Sequence, residues 1–450
     1  MERMSAIDAA TYWRSAILPS DQFVVYVFGV GPGADPLAVA AAELRDRVRA
    51  VDDLRLRVLA IPGDLDRPHW MRADPGPESI VLHRAATWQG CLDSIAGLIG
   101  DQLDPAEYAW RIHLFGPVSG VPRLPEAAGG HAVVAVLQIC HALADGRGTA
   151  DIGRALFGAG PGGESRDDRG VAKGVAFLSG WGLAALGAAR LPRSVGTMVW
   201  QGMRSFAEYQ KAEATESASE SAVPQPVTDL NRRPGRQRSL RTIVLDRRSL
   251  PAGHSVTVAA LTAISFALDE LLGAAPHRAA ELTVGTPVRP GVRNNFRNVA
   301  VDLHVETDDV EERMALIADE VATAQRAASA PDPVAEAAGR AESATPAFLA
   351  HWGVRQLDVR TRPATVTGAT VVSSVNRGPA DLTLAGGQVL FTTGFPALSP
   401  AQGLTHGVHG IGRAVAISVT TSPEIVDADS YLGMLRRALD RIATDCPLHP

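Results

Sequence analysis

The chain has 450 residues, of which 46% are hydrophobic and 20% charged, with a net charge of −6 and a pI near 6.1. That length suggests two or three domains at ~150 residues each, and the composition is that of a globular protein with a buried core, not of a disordered or fibrous chain. The negative charge excludes nucleic-acid binding by bulk electrostatics. Cys91, Cys140 and Cys446 lack metal-ligand spacing, so neither a zinc site nor a disulfide framework is expected, and a reducing compartment fits.

At the N-terminus, Ser5 to Asp8 opens a helix. No basic region leads into an apolar core there, so no signal peptide is expected and the protein is placed in the cytoplasm. Residues 23–30 read as a strand, 35–51 as a helix with Leu37, Ala41, Leu44 and Val48 at helical spacing, and 54–61 as a strand. Residues 62–77 read as turns, 87–99 as a helix and 110–115 as a strand. Residues 131–139 form a nearly unbroken apolar run that suits a buried strand. It ends in Cys140-His141-Ala142-Leu143-Ala144-Asp145-Gly146, after which 149–157 read as a helix and 158–163 as its stop. Residues 171–191 are largely apolar, but their uncharged part, 174–189, is shorter than the ~20 residues of a membrane span. A packed or interfacial helix is expected instead.

The polar, then Pro-punctuated stretch 208–226 reads as a linker. It divides the chain into an N-terminal domain over 1–207, a linker over 208–228 and a C-terminal domain over 229–450. In the latter, strands are expected at 239–245, 281–288, 299–305, 365–375, 388–392 and 413–420, and helices at 256–272, 310–329 and 429–443. The arginines between Arg232 and Arg248 read as a solvated strand edge or as a docking surface for phosphates. Arg293, Asn294, Asn295 and Arg297 read as a polar turn. His406 and His409 fall in a Gly-rich stretch, 403–412, that reads as a loop without the further ligand a metal would want. Gly31 and Gly33 flank Pro32 without the following Lys-Ser/Thr of a phosphate loop.

A histidine on a turn between a buried strand and a helix sits where rigid scaffolds carry catalytic groups. Acyl transfer to a hydroxyl needs a base that takes the proton as oxygen attacks the carbonyl, and an imidazole titrates near working pH. His141 is the candidate base. Asp145 can hold the turn by pairing with an arginine elsewhere, and Gly146 keeps the turn free of a side chain. The same spacing also fits a histidine that only caps a strand end beside an Asp-Gly turn.

Cys140 to Gly146 resembles the HHxxxDG motif of the wax ester synthase/diacylglycerol acyltransferase (WS/DGAT) family, a motif shared with non-ribosomal peptide condensation domains and other CoA-dependent acyltransferases. Further stretches resemble that family in the right order. Met4 to Ala9 resembles its N-terminal Leu-Asp segment, and Thr228 to Asn231 the segment that opens its second half. Thr286 to Arg289 with Asn298 to Leu303 resembles its "pVslR…gN" strand pair, and Ser374 to Pro379 its "NVPGP" motif. The resemblance implies an α/β fold with mixed sheets: two chloramphenicol-acetyltransferase-like halves with a tunnel between them. It implies His141 as base, Asp145 and Gly146 as structural members of the site, and Arg289 as the partner of Asp145. Cys140, Asn298, Ser374, Asn376, Gly378 and Pro379 become substrate-site positions. It also implies acyl-CoA as donor substrate with no resident cofactor or metal, a hydroxyl acceptor such as a long-chain alcohol or diacylglycerol, and peripheral contact with a membrane or lipid droplet.

Three positions depart from the family pattern. Cys140 stands for the first motif histidine, Arg377 for the Val-Pro of "NVPGP", and Ala259-Ala260 for an Asn-Asp pair. These departures leave open an acyltransferase of specialised metabolism with a non-lipid acceptor or a carrier-protein donor. A non-catalytic binding protein that kept the fold also stays open.

Overall fold

The computed structural model describes residues 1–31, 35–124, 130–158, 180–214, 224–273, 275 and 277–447. The first half runs β1 (Glu2–Arg3), α1 (Ala6–Ser15), β2 (Gln22–Val30), α2 (Pro36–Arg47), β3 (Leu56–Leu59), β4 (His69–Arg72), β5 (Ile80–His83), α3 (Trp88–Leu98), β6 (Trp110–Val118), β7 (His131–Ile139), α4 (Gly146–Phe157) and α5 (Gly180–Ala214). The second runs β8 (Gln225–Pro226), β9 (Ser239–Asp246), α6 (Val256–Leu272), β10 (Ala279–Gly285), β11 (Phe296–Asp302), α7 (Val310–Ser329), α8 (Pro333–Ala344), α9 (Ala347–Arg355), β12 (Thr365–Val366), β13 (Val371–Asn376), β14 (Thr383–Leu384), β15 (Gly387–Phe395), β16 (Leu404–Ile411), β17 (Ala414–Thr421) and α10 (Ala428–Asp445).

Two six-stranded mixed sheets carry the architecture, in the orders β14-β15-β2-β7-β6-β5 and β11-β10-β13-β16-β17-β9. β7 lies between β2 and β6 and is buried at every position after His131, which is why its sequence is a continuous apolar run rather than an alternating one. α6, buried along nearly its whole length, packs with α7 and α10 over the second sheet. The sheets are not independent. β14 and β15 follow β13 of the second sheet in the chain, yet β15 pairs with β2 of the first, and Ser418 of β17 donates its hydroxyl to the Gly394 carbonyl of β15. This crossover sews the halves along a seam.

Three readings change here. Residues 403–412 are not a loop but the buried strand β16. Its glycines answer to packing: a Cβ at Gly407 would lie 2.3 Å from the Gly394 carbonyl oxygen, so the strand can pass β15 only bare. The expected strand 365–375 splits into β12 and β13. Of 171–191, only 180–191 lie within the described residues, as the first turns of α5, and α5 runs on through 208–214 where a linker was expected.

α4 packs against β2 with the same economy of space. A Cβ at Gly153 would fall 1.9 Å from the Tyr26 hydroxyl oxygen. Gly153→Ala must therefore displace α4 or expel Tyr26 from its contact with Phe157. We expect a loss of about 1–3 kcal/mol, read as a lower urea midpoint.

Candidate active site

β7 delivers the chain to a tight turn, Cys140 to Asp145, that feeds α4. Asp145 is the N-cap: its Oδ1 accepts the Gly148 N–H at 2.8 Å, which is why the helix begins at Gly146, three residues before the sequence suggested. Oδ2 accepts the Asn295 N–H at 2.9 Å from the β10–β11 loop of the second half. Asp145 thus ties the turn across the seam through main-chain donors. Arg289 does not make the expected pair. It gives its own backbone N–H to Asn295 Oδ1 at 3.1 Å, while the buried Asp145 carboxylate takes its donors from the Gly148 and Asn295 amides. Gly146 lies against Val375 of β13.

His141 is joined to the same loop. Its Nδ1 is 2.9 Å from Asn294 Oδ1. Asn294 Nδ2 donates to Asp8 Oδ1 at 2.9 Å, and its backbone N–H donates to the same oxygen at 3.1 Å. Asp8, fully buried on α1, also accepts the Arg293 N–H at 3.0 Å and the Ser5 hydroxyl at 2.6 Å. This chain of contacts has one consistent polarity. A carboxylate only accepts, so the Asn294 amide must turn its NH2 to Asp8 and its oxygen to the imidazole. An amide oxygen only accepts, so His141 must carry its proton on Nδ1, leaving the Nε2 lone pair free. Burial pushes the His141 pKa below the ordinary imidazole value, partly offset by hydrogen bonds that the ring donates to its own backbone and to Asn294 and by the Asp145 charge. The Phe296 ring packs 5.3 Å from the imidazole.

Arg293 braces the turn. Its Nη1 donates to Asp53 at 2.8 Å and to the Leu143 carbonyl at 3.2 Å, and its guanidinium lies over the Trp70 ring. The segment Arg293-Asn294-Asn295, read from sequence as a polar turn, is therefore the clamp that brings the second half onto the motif.

The other expected positions are spread more widely. Cys140 is fully buried in the core beside the turn, and burial pushes its thiol up to about 12. Ser374 bonds Thr257 of α6 through their hydroxyls at 2.7 Å. Asn298 pairs with Thr283 and Glu281 along the β10–β11 hairpin rather than with the His141 cluster. Asn376 accepts the Gly378 N–H at 3.0 Å, and Arg154 of α4 grips this turn through the Arg377 and Pro379 carbonyls and Asp381. His406 is buried between Thr370 and Tyr431, and burial lowers its pKa to about 3. Among the described residues no group of three His, Cys, Asp or Glu is placed to hold a metal.

A cavity of about 680 Å³ opens beside this cluster, between the start of α1, α5 and α8. Ile7, Arg289, Val292 and Ala335 are on its wall, so the loop that supplies Asn294 also lines the cavity.

Residues 292–443 match the WS/DGAT C-terminal domain family. No curated protein matches the chain by sequence. Among solved structures, the chain is similar to the wax ester synthase/diacylglycerol acyltransferase from Marinobacter aquaeolei VT8, with a TM-score of 0.63 and 15% identity over 98% of this chain and 99% of that one. It is also similar to the starter condensation domain of rhizomide synthetase, solved as a double mutant with C8-CoA and Leu-SNAC, with a TM-score of 0.53 and 14% identity over 98% and 94%. Residues 292–443 thus match the WS/DGAT C-terminal domain family, and the chain as a whole has a two-half α/β fold similar to those of the Marinobacter enzyme and the rhizomide condensation domain.

Proposed function

We propose that this protein is an O-acyltransferase that moves an acyl group from an acyl thioester, acyl-CoA in the first instance, to an acceptor hydroxyl, with His141 as general base. The observation that supports it most strongly is the tautomer fixed by Asp8 and Asn294, which leaves Nε2 unprotonated. In the reaction Nε2 takes the hydroxyl proton as the oxygen attacks the thioester carbonyl. The tetrahedral intermediate then collapses by breaking the carbon–sulfur bond, and the proton on Nε2 passes to the departing thiolate. As the imidazole becomes charged, the Asn294 oxygen and the nearby Asp145 carboxylate favour the cation. A starter condensation domain solved with C8-CoA supports a thioester donor for this fold. A long-chain alcohol or diacylglycerol is the acceptor that the likeness to a wax ester synthase/diacylglycerol acyltransferase favours.

Peripheral contact with a lipid surface is supported by α5. It exposes Trp181, Leu186, Val195 and Trp200 among Arg190, Arg193 and Arg204. Among the described residues no helix is long and apolar enough to cross a membrane.

The test is thiol release from acyl-CoA in the presence of an alcohol, followed against pH, for the native protein and His141→Ala. A base works unprotonated, so activity is lost as pH falls through its pKa. Because that pKa is lowered, the acid limb of kcat/KM is expected below pH ~6.5. His141→Ala is expected to lose about 10²–10⁴-fold in kcat with its melting temperature intact. Full activity in that variant would remove His141 from the mechanism.

A further inference from the structure

A second cavity, of about 320 Å³, lies between α5, the Leu65–Asp66 segment and the start of α9. No member of the His141 cluster lines it, so it is no part of the reacting centre. Its wall carries three guanidinium groups, Arg3, Arg190 and Arg193, and one carboxylate, Asp66. Asp66 is buried and already shared. Arg3 Nε donates to its Oδ1 at 2.5 Å, the Arg67 N–H donates to the same oxygen at 2.8 Å, and Arg190 Nη1 stands 3.8 Å from Oδ2. Arg193 has no carboxylate partner among the described residues. Arg67 and Glu342, which act on each other nearby, cancel. The wall is left with a surplus of two positive charges. The crowding is felt at Arg67: burial, and then the Arg3 charge, push its pKa down to about 10.

The fold imposes this crowding. A Cβ at Gly187 would lie 2.3 Å from the Leu65 carbonyl oxygen, so α5 reaches that segment only with glycine there, and the approach brings Arg190 to Asp66. Thr345, Pro346 and Ala347 complete the wall, where α9 starts without a side-chain cap. The start of a helix adds a partial positive charge.

The surroundings favour an anion carried on a lipid surface over a soluble one. Trp181 of α5 is 75% exposed and Trp352 of α9 is 63% exposed, with Phe348 exposed one turn before it. Both helices pack on the short turn 62–64: Gly180 lies against Pro62, and His351 bonds Asp64 at 2.8 Å. Exposed tryptophans beside arginines suit the boundary between headgroups and acyl chains.

We infer that this cavity takes the phosphate of a phosphomonoester lipid, a phosphatidate, at a membrane surface. A phosphomonoester carries about −1.5 to −2 charges at neutral pH, which matches the surplus. Each guanidinium offers it a forked pair of N–H donors. A volume of about 320 Å³ holds a phosphate with its glycerol and leaves the acyl chains in the lipid. This inference deepens the peripheral lipid contact proposed above and rests on it.

The probes are vesicles of phosphatidylcholine alone, with about 10 mol% phosphatidate, or with about 20 mol% phosphatidylglycerol, which matches the surface charge. Binding is followed by flotation for the full chain, Arg193→Gln, the double variant Arg190→Gln/Arg193→Gln, and Arg204→Gln, on the same helix but outside the cavity. The native protein is expected to bind phosphatidate vesicles about tenfold more tightly than phosphatidylglycerol ones. Arg193→Gln should reduce that preference and the double variant should abolish it. Arg204→Gln should bind both anionic vesicles slightly less and keep the preference. Arg190 and Arg193 are exposed, so melting temperatures should stay near native. If the double variant fails to fold, Arg193→Gln, which breaks no ion pair, decides. Equal native affinity for the two anionic vesicles, or a preference that survives in the double variant, overturns the headgroup site and leaves the peripheral contact standing. No binding to any vesicle removes both. Glycerol 3-phosphate, followed by thermal shift, separates the sources. A shift that needs Arg190 and Arg193, without any vesicle preference, would mark a site for a soluble phosphate and overturn the lipid inference.

Discussion

Asn294→Ala is expected to lower kcat for acyl transfer by on the order of 10²-fold while KM changes little. The alanine removes the acceptor that holds the His141 proton on Nδ1, so the ring can rotate and can place its proton on Nε2, where it no longer serves as a base. The chemistry is hit and ground-state binding is not, which is the signature of an interaction used in the transition state. A second readout separates positioning from general damage. The Asn294 oxygen favours the protonated imidazole, so its loss lowers the His141 pKa further and moves the acid limb of the pH–rate profile down. A merely destabilised protein would keep the limb where it was. An unchanged kcat would mean that the relay from Asp8 has no part in the reaction.

Asp145→Ala is expected to cost about 2–4 kcal/mol of stability by urea unfolding. The carboxylate caps α4 through Gly148 and receives the Asn295 amide from the other half. Losing a cap costs roughly 1 kcal/mol, and a buried amide left unpaired roughly 1–3 more. The Asn295 contact spans 150 residues of sequence, so the loss falls on the junction of the two halves as well as on one helix. A variant that kept native stability but lost all transfer would show that Asp145 acts on His141 directly.

The parts of this site that lie close together in the chain were legible in the sequence. A run of eight residues broken only by Gln138 is hard to place anywhere but in a buried strand, and His141, Asp145 and Gly146 follow it within seven residues. The partners of these groups were not legible. Asn294 lies 153 residues from His141, and Asp8 lies 286 residues from Asn294. An Asn-Asn pair in a turn carries no mark that distinguishes a catalytic amide from a solvated one. The Arg289 expectation failed for a related reason: the donors that fill Asp145 are backbone N–H groups, which every residue but proline possesses. β16 was misread because the four glycines of 403–412, two of them within the strand, resemble a loop, when close passage of β15 explains Gly407.

The most direct test of the central claim is mass-spectrometric detection of product. Native protein and His141→Ala are each given acyl-CoAs of several chain lengths against long-chain alcohols, diacylglycerol and amines. The account predicts an ester that forms with the native protein and fails to form with His141→Ala. Esters made equally by both proteins, or no acyl product and no CoA release from any pairing, would contradict it.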